Sequence, residues 1–201
     1  MSNYGSRLFF SFSILALVAV LPALGQNVSV IRANSFEIGG FAGASKGLDN
    51  YRAMGGGNVT YAVNKYLLPY GEFTYLPGIE TSTVSEGHQL TYKRSYSDIH
   101  GGVHVRLPVF RESPIVPYGV FGLGVLRSGT ITSSYTLNGQ PITASYPGES
   151  HFAINGGGGL RFYLSQSFGL RTEAKIYRES SGLNAGSTFF KVELGFFFQV
   201  R

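Results

Sequence analysis

Ten ionisable residues of this chain alternate with apolar ones in runs that read as extended segments. The acids are Glu37, Glu72, Asp98, Glu173 and Glu193, and the bases are Arg106, Arg161, Arg171, Lys175 and Lys191. Side chains in a strand repeat every second residue, so each run gathers its charges on one face. The two signs balance. Buried charges must be paired or solvated, so the chemistry this set suits is ion pairing inside a narrow interior. Arg171, Glu173, Lys191 and Glu193 fall on adjacent segments and are the expected centre of that network. Metal or hydrolytic chemistry would draw on His88, His100, His104 and His151. His100 and His104 share a face but stand about 13 Å apart along a strand, too far to ligate one metal. His88 reads as a loop residue and His151 as the start of a segment. There is no Cys, which removes thiolate sites, Cys nucleophiles and disulfides. The glycine runs at 55–57 and 156–159 do not lie between a strand and a helix, so neither reads as a phosphate cradle. No catalytic residue, cofactor or metal site is expected.

The elements that would position these charges are strands. Alternation bounded by Gly, Pro, Ser and Asn occurs over 35–43, 55–65, 67–77, 94–107, 117–127, 151–164, 167–177 and 187–199. In the last segment Phe190, Val192, Leu194, Phe196 and Phe198 share one face, and Lys191, Glu193, Gly195 and Phe197 the other. The segments are longer than the ~5–6 residues usual in soluble sheets. They suit the ~9–11 residues a tilted strand needs to cross a bilayer. Connections alternate: short at 64–66, 165–167 and 108–116, long and polar at 44–54, 78–93, 128–150 and 178–186. Short turns on one side and long loops on the other fit an outer-membrane barrel, as does an even strand count. The apolar face would then meet lipid and the charged face the lumen. Tyr66, Phe162, Phe168 and Phe198 would form one interfacial girdle, and Tyr75, Tyr92 and Tyr177 the other.

Composition agrees. Of 201 residues, 43% are hydrophobic and 13% charged, yet mean hydropathy is only +0.07, too low for a bundle of apolar helices. Glycine (28), Tyr (13) and Phe (16) are abundant and favour sheet. The net charge of +5 is scattered, so no nucleic-acid partner is implied; attraction to acidic lipid headgroups fits equally well. Residues 1–25 have the order of a signal peptide: Arg7, an apolar run from Leu8 to Leu21, then Ala23-Leu24-Gly25. Cleavage is expected between Gly25 and Gln26. The barrel domain is then 26–201, located in the cell outer membrane.

Repeated Pro-Tyr-Gly strand starts (Pro69-Tyr70-Gly71, Pro117-Tyr118-Gly119), Gly-rich descending strands ending in Arg106 and Arg161, and the Phe-rich last strand resemble the OmpA/OmpX-like small outer-membrane barrels. The resemblance implies an all-β fold: an eight-stranded antiparallel up-and-down transmembrane barrel. It implies outer-membrane lipid and lipopolysaccharide as surroundings, and the barrel-assembly machinery as a partner during insertion. In that family a terminal Phe marks the last strand; here Phe198 is followed by Gln199-Val200-Arg201. An eight-stranded barrel is only wide enough for side chains to fill. The expected role is therefore structural or interactive: a barrel plugged by salt bridges, anchoring four surface loops that meet a partner. Alternatives are a narrow pore for small solutes and a lipid A-modifying enzyme. A deacylase of this kind would show a Ser two residues after its His, and none of the four histidines does. A further alternative, a secreted soluble barrel around an apolar ligand, would reverse the two faces.

Overall fold

A computed structural model describes residues 32–48, 50–85, 88–107, 113–137, 140–179 and 187–200. The expected signal peptide, its Gly25–Gln26 cleavage point and Arg201 lie outside the described residues. The strands are β1 (Ser35–Leu48), β2 (Asn50–Ala62), β3 (Leu67–Ser85), β4 (His88–Arg106), β5 (Ile115–Ser128), β6 (Ile131–Leu137), β7 (Gln140–Tyr146), β8 (Ser150–Tyr163), β9 (Phe168–Glu179) and β10 (Thr188–Val200). Eight of them close into an antiparallel barrel. Neighbours along the wall run β3-β2-β1-β10-β9-β8-β5-β4, and β3 pairs with β4 to complete the circle. Closure leaves no unpaired edge within the wall, the condition for sheet in hydrocarbon.

The alternating pattern sets which face is which. On β10, Val192 and Leu194 are 60% and 62% exposed while Lys191 and Glu193 are 1% and 2% exposed. Phe190, Phe196 and Phe198 lie with Val192 on the outside. The same inversion holds around the wall: Ile38, Val59, Phe73, Ile99, Leu123, Ile154 and Ile176 face outward, and the charges face in. This is a membrane-spanning barrel, because only hydrocarbon makes such an exterior favourable.

Inward glycines answer to the tight wall. A Cβ at Gly102, Gly157 or Gly159 would lie 2.1, 2.0 or 1.9 Å from a carbonyl oxygen of the next strand. These positions thus serve the close approach of neighbouring strands. Gly122 differs: a Cβ there would stand 2.3 Å from the Tyr70 hydroxyl, so its absence lets Tyr70 cross the lumen.

Three segments expected as loops are largely strand. β1 and β2 run through 44–54 with a register shift between Ser45 and Leu48, where Gly47 adopts φ 111°. β3 and β4 continue pairing from Ile79↔Arg94 to Ser85↔His88, after a shift at Leu76/Ile79. His88 therefore opens a strand rather than sitting in a loop. Within 128–150, β6 and β7 form a hairpin that pairs with β4 through Thr91↔Ser134, Tyr92↔Ser133 and Lys93↔Thr132. The turn expected at Asn138-Gly139 lies outside the described residues. Outside the membrane a strand needs no apolar face, so Ser- and Thr-rich sheet carries no hydrophobic alternation by which to read it.

Candidate functional site: a charged lumen

All ten charges are buried, and they form three groups down the lumen. Nearest the termini, Glu37 of β1 accepts from Arg106 of β4 and Arg161 of β8, and Gln199 Nε2 of β10 donates to Glu37 Oε1 at 3.0 Å. Gln199 therefore belongs to the lumen, and the strand runs on past Phe198 to Val200. Val116, Tyr163 and Phe197 pack beside this group. The Arg161 guanidinium lies 5.1 Å from the Phe197 ring centre.

In the middle, Lys175 Nζ lies 2.5 Å from Glu72 Oε1, 2.7 Å from Glu173 Oε1 and 3.1 Å from Glu193 Oε1. Oxygens of those three carboxylates converge within 4.8 Å of one another, the spacing of a metal cage. The lysine ammonium stands at their centre as the cation. Arg171 adds contacts to Glu72 at 3.5 Å and Glu193 at 3.8 Å. Tyr118 Oη donates to Glu173 Oε2 at 2.5 Å. His104 lies 3.1 Å from Arg161 Nη2 and 3.7 Å from Glu173, with its ring stacked on Tyr70 at 4.3 Å. Tyr70 Oη reaches Asn155 Oδ1 at 3.3 Å.

Toward the outer end, Lys191 pairs with Asp98, which also meets His100. The Lys191 ammonium sits 4.4 Å from the Tyr177 ring centre and 3.3 Å from Thr74 Oγ1. Above this group the lumen turns apolar: Leu48, Met54, Leu76, Tyr96, Leu126, Tyr177 and Phe189 pack together. Arg52 lies over that cap, donating to the carbonyls of Leu48 and Arg94 at 3.2 and 2.6 Å.

The network differs from the expected one in how it is wired. Arg171, Glu173 and Glu193 share the central group, joined through Lys175, while Lys191 leaves it to pair with Asp98. Register sets Glu193 against Glu173 and Lys191 against Lys175, and Arg161 against Arg171. Like charges directly opposite repel. Lys175 relieves the Glu173–Glu193 pair from within the same wall, β3 supplies Glu72 to Arg171 and Lys175, and β4 supplies Asp98 to Lys191. Sequence reading also leaves out of the charge set buried Arg52 and Glu179, which lie at the outer ends of their strands beyond the stretch read as wall. The polar fillers Tyr70 and Tyr118 share the inward parity of the charges and could be found by it, and Asn155 lies, as its alternation with Phe152 and Ile154 implies, on the buried face with Arg161. Tyr177, expected in the outer girdle, is fully buried and stacks on Phe189 at 4.7 Å; it has the parity of Glu173 and Lys175. Tyr51 is the exposed aromatic beside Lys46 instead. Tyr66, Tyr75 and Phe198 are exposed on the outside, and Phe168 and Phe198 meet at 5.0 Å.

No family model matches the sequence, and no curated protein is detectably similar. Solved structures do match. A major outer membrane protein of Thermus thermophilus aligns with TM-score 0.59 and 11% identity, over 84% of this chain and 100% of that one. Neisserial surface protein A aligns with TM-score 0.55 and 10% identity, over 83% and 96%. OprG of Pseudomonas aeruginosa aligns with TM-score 0.50 and 15% identity, over 85% and 97%.

The fold is that of the small outer-membrane barrels.

A closed barrel with a hydrocarbon-facing exterior and a polar interior is an outer-membrane structure, and the chain is accordingly an outer-membrane protein. The expected small-barrel resemblance thus holds at the level of fold. An outward charged face, which a soluble barrel would need, is not what the wall presents.

Proposed function

We propose that the barrel is a closed anchor that holds a sheet at the cell surface for a partner to bind. The observation that carries this reading is the crossing of the lumen by paired side chains under an apolar cap. An open channel would leave those charges to water; here Lys175, Lys191 and Arg161 are each spent on carboxylates of the same lumen. The surface sheet supports the interactive half. β3, β4, β6 and β7 continue beyond the wall as four strands, and β2 pairs with β3 only between Thr60↔Tyr70 and Gly55↔Tyr75. The far edge of β3 over 79–85 thus has no strand beside it among the described residues. It contains neither Pro nor Lys, the usual edge blockers, whereas the opposite edge strand β7 contains Pro141. An extended segment can add to such an edge through backbone hydrogen bonds.

Outer-membrane lipid, lipopolysaccharide and, during insertion, the barrel-assembly machinery are the other partners proposed. Neither a nucleic acid nor a cofactor is. Steady conductance in planar bilayers is the test: the purified protein is expected to give almost none. Large, stable channels would overturn the plug and favour a narrow pore. Robust acyl release from purified lipid A would replace this reading with an enzyme.

A further inference from the structure

The outer wall of the barrel carries three exposed cations toward its loop end: Lys46 on β1, Arg127 on β5 and Arg178 on β9. Arg127 pairs in register with Ser97 and Ser150, and Arg178 with Ile154 and Thr188. The two arginines thus flank β8 from either side. Just below them on their own strands, toward the middle of the wall, are the lipid-facing Val125 and Ile176. Between them β8 presents exposed Phe152 and Ile154. The pair sits where the apolar band ends.

Neither guanidinium has an acceptor among the described residues. The two exposed acids described at this end are taken up elsewhere: Glu80 lies 3.8 Å from Lys93 and Glu149 lies 3.6 Å from His151. Lys46 packs its ammonium 5.0 Å from the Tyr51 ring centre. The opposite rim differs, since Arg32 donates to Gln166 and Lys65 lies 5.0 Å from the Tyr66 ring centre. Cations on the lipid side of a barrel are costly at mid-bilayer and tolerable only near the headgroups. A guanidinium there presents a planar fork that matches phosphate oxygens two at a time. An apolar strand between two such forks suits acyl chains descending from one head.

We propose that Arg127 and Arg178 form a docking site for the phosphate groups of an anionic glycolipid of the outer leaflet, with Phe152 and Ile154 as the seat for its chains. This deepens the outer-membrane reading and rests on it. The test is native mass spectrometry of the full chain released from detergent micelles after incubation with lipid A. The comparisons are lipid A stripped of phosphate, phosphatidylglycerol and inorganic phosphate. The wild type is expected to retain lipid A, and the R127Q/R178Q double variant to bind it at least tenfold more weakly. Each single variant should fall between, and Lys65→Gln on the far rim should bind as wild type. Equal retention of stripped lipid A, or undiminished binding by the double variant, overturns the site. Equal binding of phosphatidylglycerol overturns the glycolipid assignment, and competition by millimolar inorganic phosphate assigns the site to free phosphate instead. Heat-modifiable gel mobility reports folding of every variant. A wild type that never inserts into vesicles sinks the membrane reading itself, whereas one that inserts but retains no lipid A sinks only this site.

Discussion

Lys191 of β10 and Asp98 of β4 meet across the lumen, from opposite walls of the barrel. Neither strand touches the other through the backbone. Their ion pair therefore acts as a strut between walls that hydrogen bonding alone joins only the long way round.

Removing one end of that strut strands the other in a buried site. Lys191→Met and Asp98→Asn are each expected to cost about 3–5 kcal/mol. The double variant Lys191→Met/Asp98→Leu should recover much of the loss, because two apolar groups replace the pair. Urea midpoints in lipid vesicles, read by heat-modifiable mobility, measure all three; additive losses would contradict the pairing.

Lys175 carries more. Its ammonium separates Glu72, Glu173 and Glu193, so Lys175→Met should lower the midpoint further than Lys191→Met. Adding Glu193→Gln removes one of the three repelling charges and should restore part of it. A double variant no more stable than Lys175→Met would argue against the cage.

Glycines on the two faces should behave oppositely. A Cβ at Gly159 would be 1.9 Å from the Thr172 carbonyl oxygen, while one at Gly71 would have nothing within 4 Å. Gly159→Ala is expected to cost about 3 kcal/mol or more. Gly71→Ala should stay within about 0.5 kcal/mol of wild type. The same urea midpoints decide it.

The β6–β7 hairpin joins the rest of the sheet through its pairing with β4 at Thr91, Tyr92 and Lys93. Replacing 131–146 by a short turn should leave the unfolding midpoint of the barrel unchanged within about 0.5 kcal/mol. A large drop would mean that the hairpin supports the wall.

Much of the wall is legible because two solvents act on one strand. Phe190 to Phe198 and Lys191 to Glu193 separate by parity alone, and the barrel strands end within a few residues of the expected ends wherever hydrocarbon stops abruptly, as on β5, β8, β9 and β10. Above the membrane that contrast vanishes. The Ser- and Thr-rich continuations of β3 and β4 and the β6–β7 hairpin therefore read as loops. Inside, parity assigns the face but not the partner. Which acid meets Lys191 depends on how far the lumen spans, and no local pattern encodes the distance to the opposite wall. Tyr177 shows the same limit: its aromatic type suggests a rim, while its position between Lys175 and Glu179 puts it in the core.

The register that sets Glu173 beside Glu193, Lys175 beside Lys191 and Arg161 beside Arg171 bears on assembly. A nascent sheet holding only β8, β9 and β10 already pairs Lys175 with Glu173 and Glu193, but Arg161 and Lys191 lack their acids until Glu37 arrives on β1 and Asp98 on β4. Two cations of a partial sheet thus stay unpaired until the first strands come round, and sealing the seam between β1 and β10 and pairing Arg161 with Glu37 become one event. An inserting chain has little reason to linger half-rolled in the bilayer.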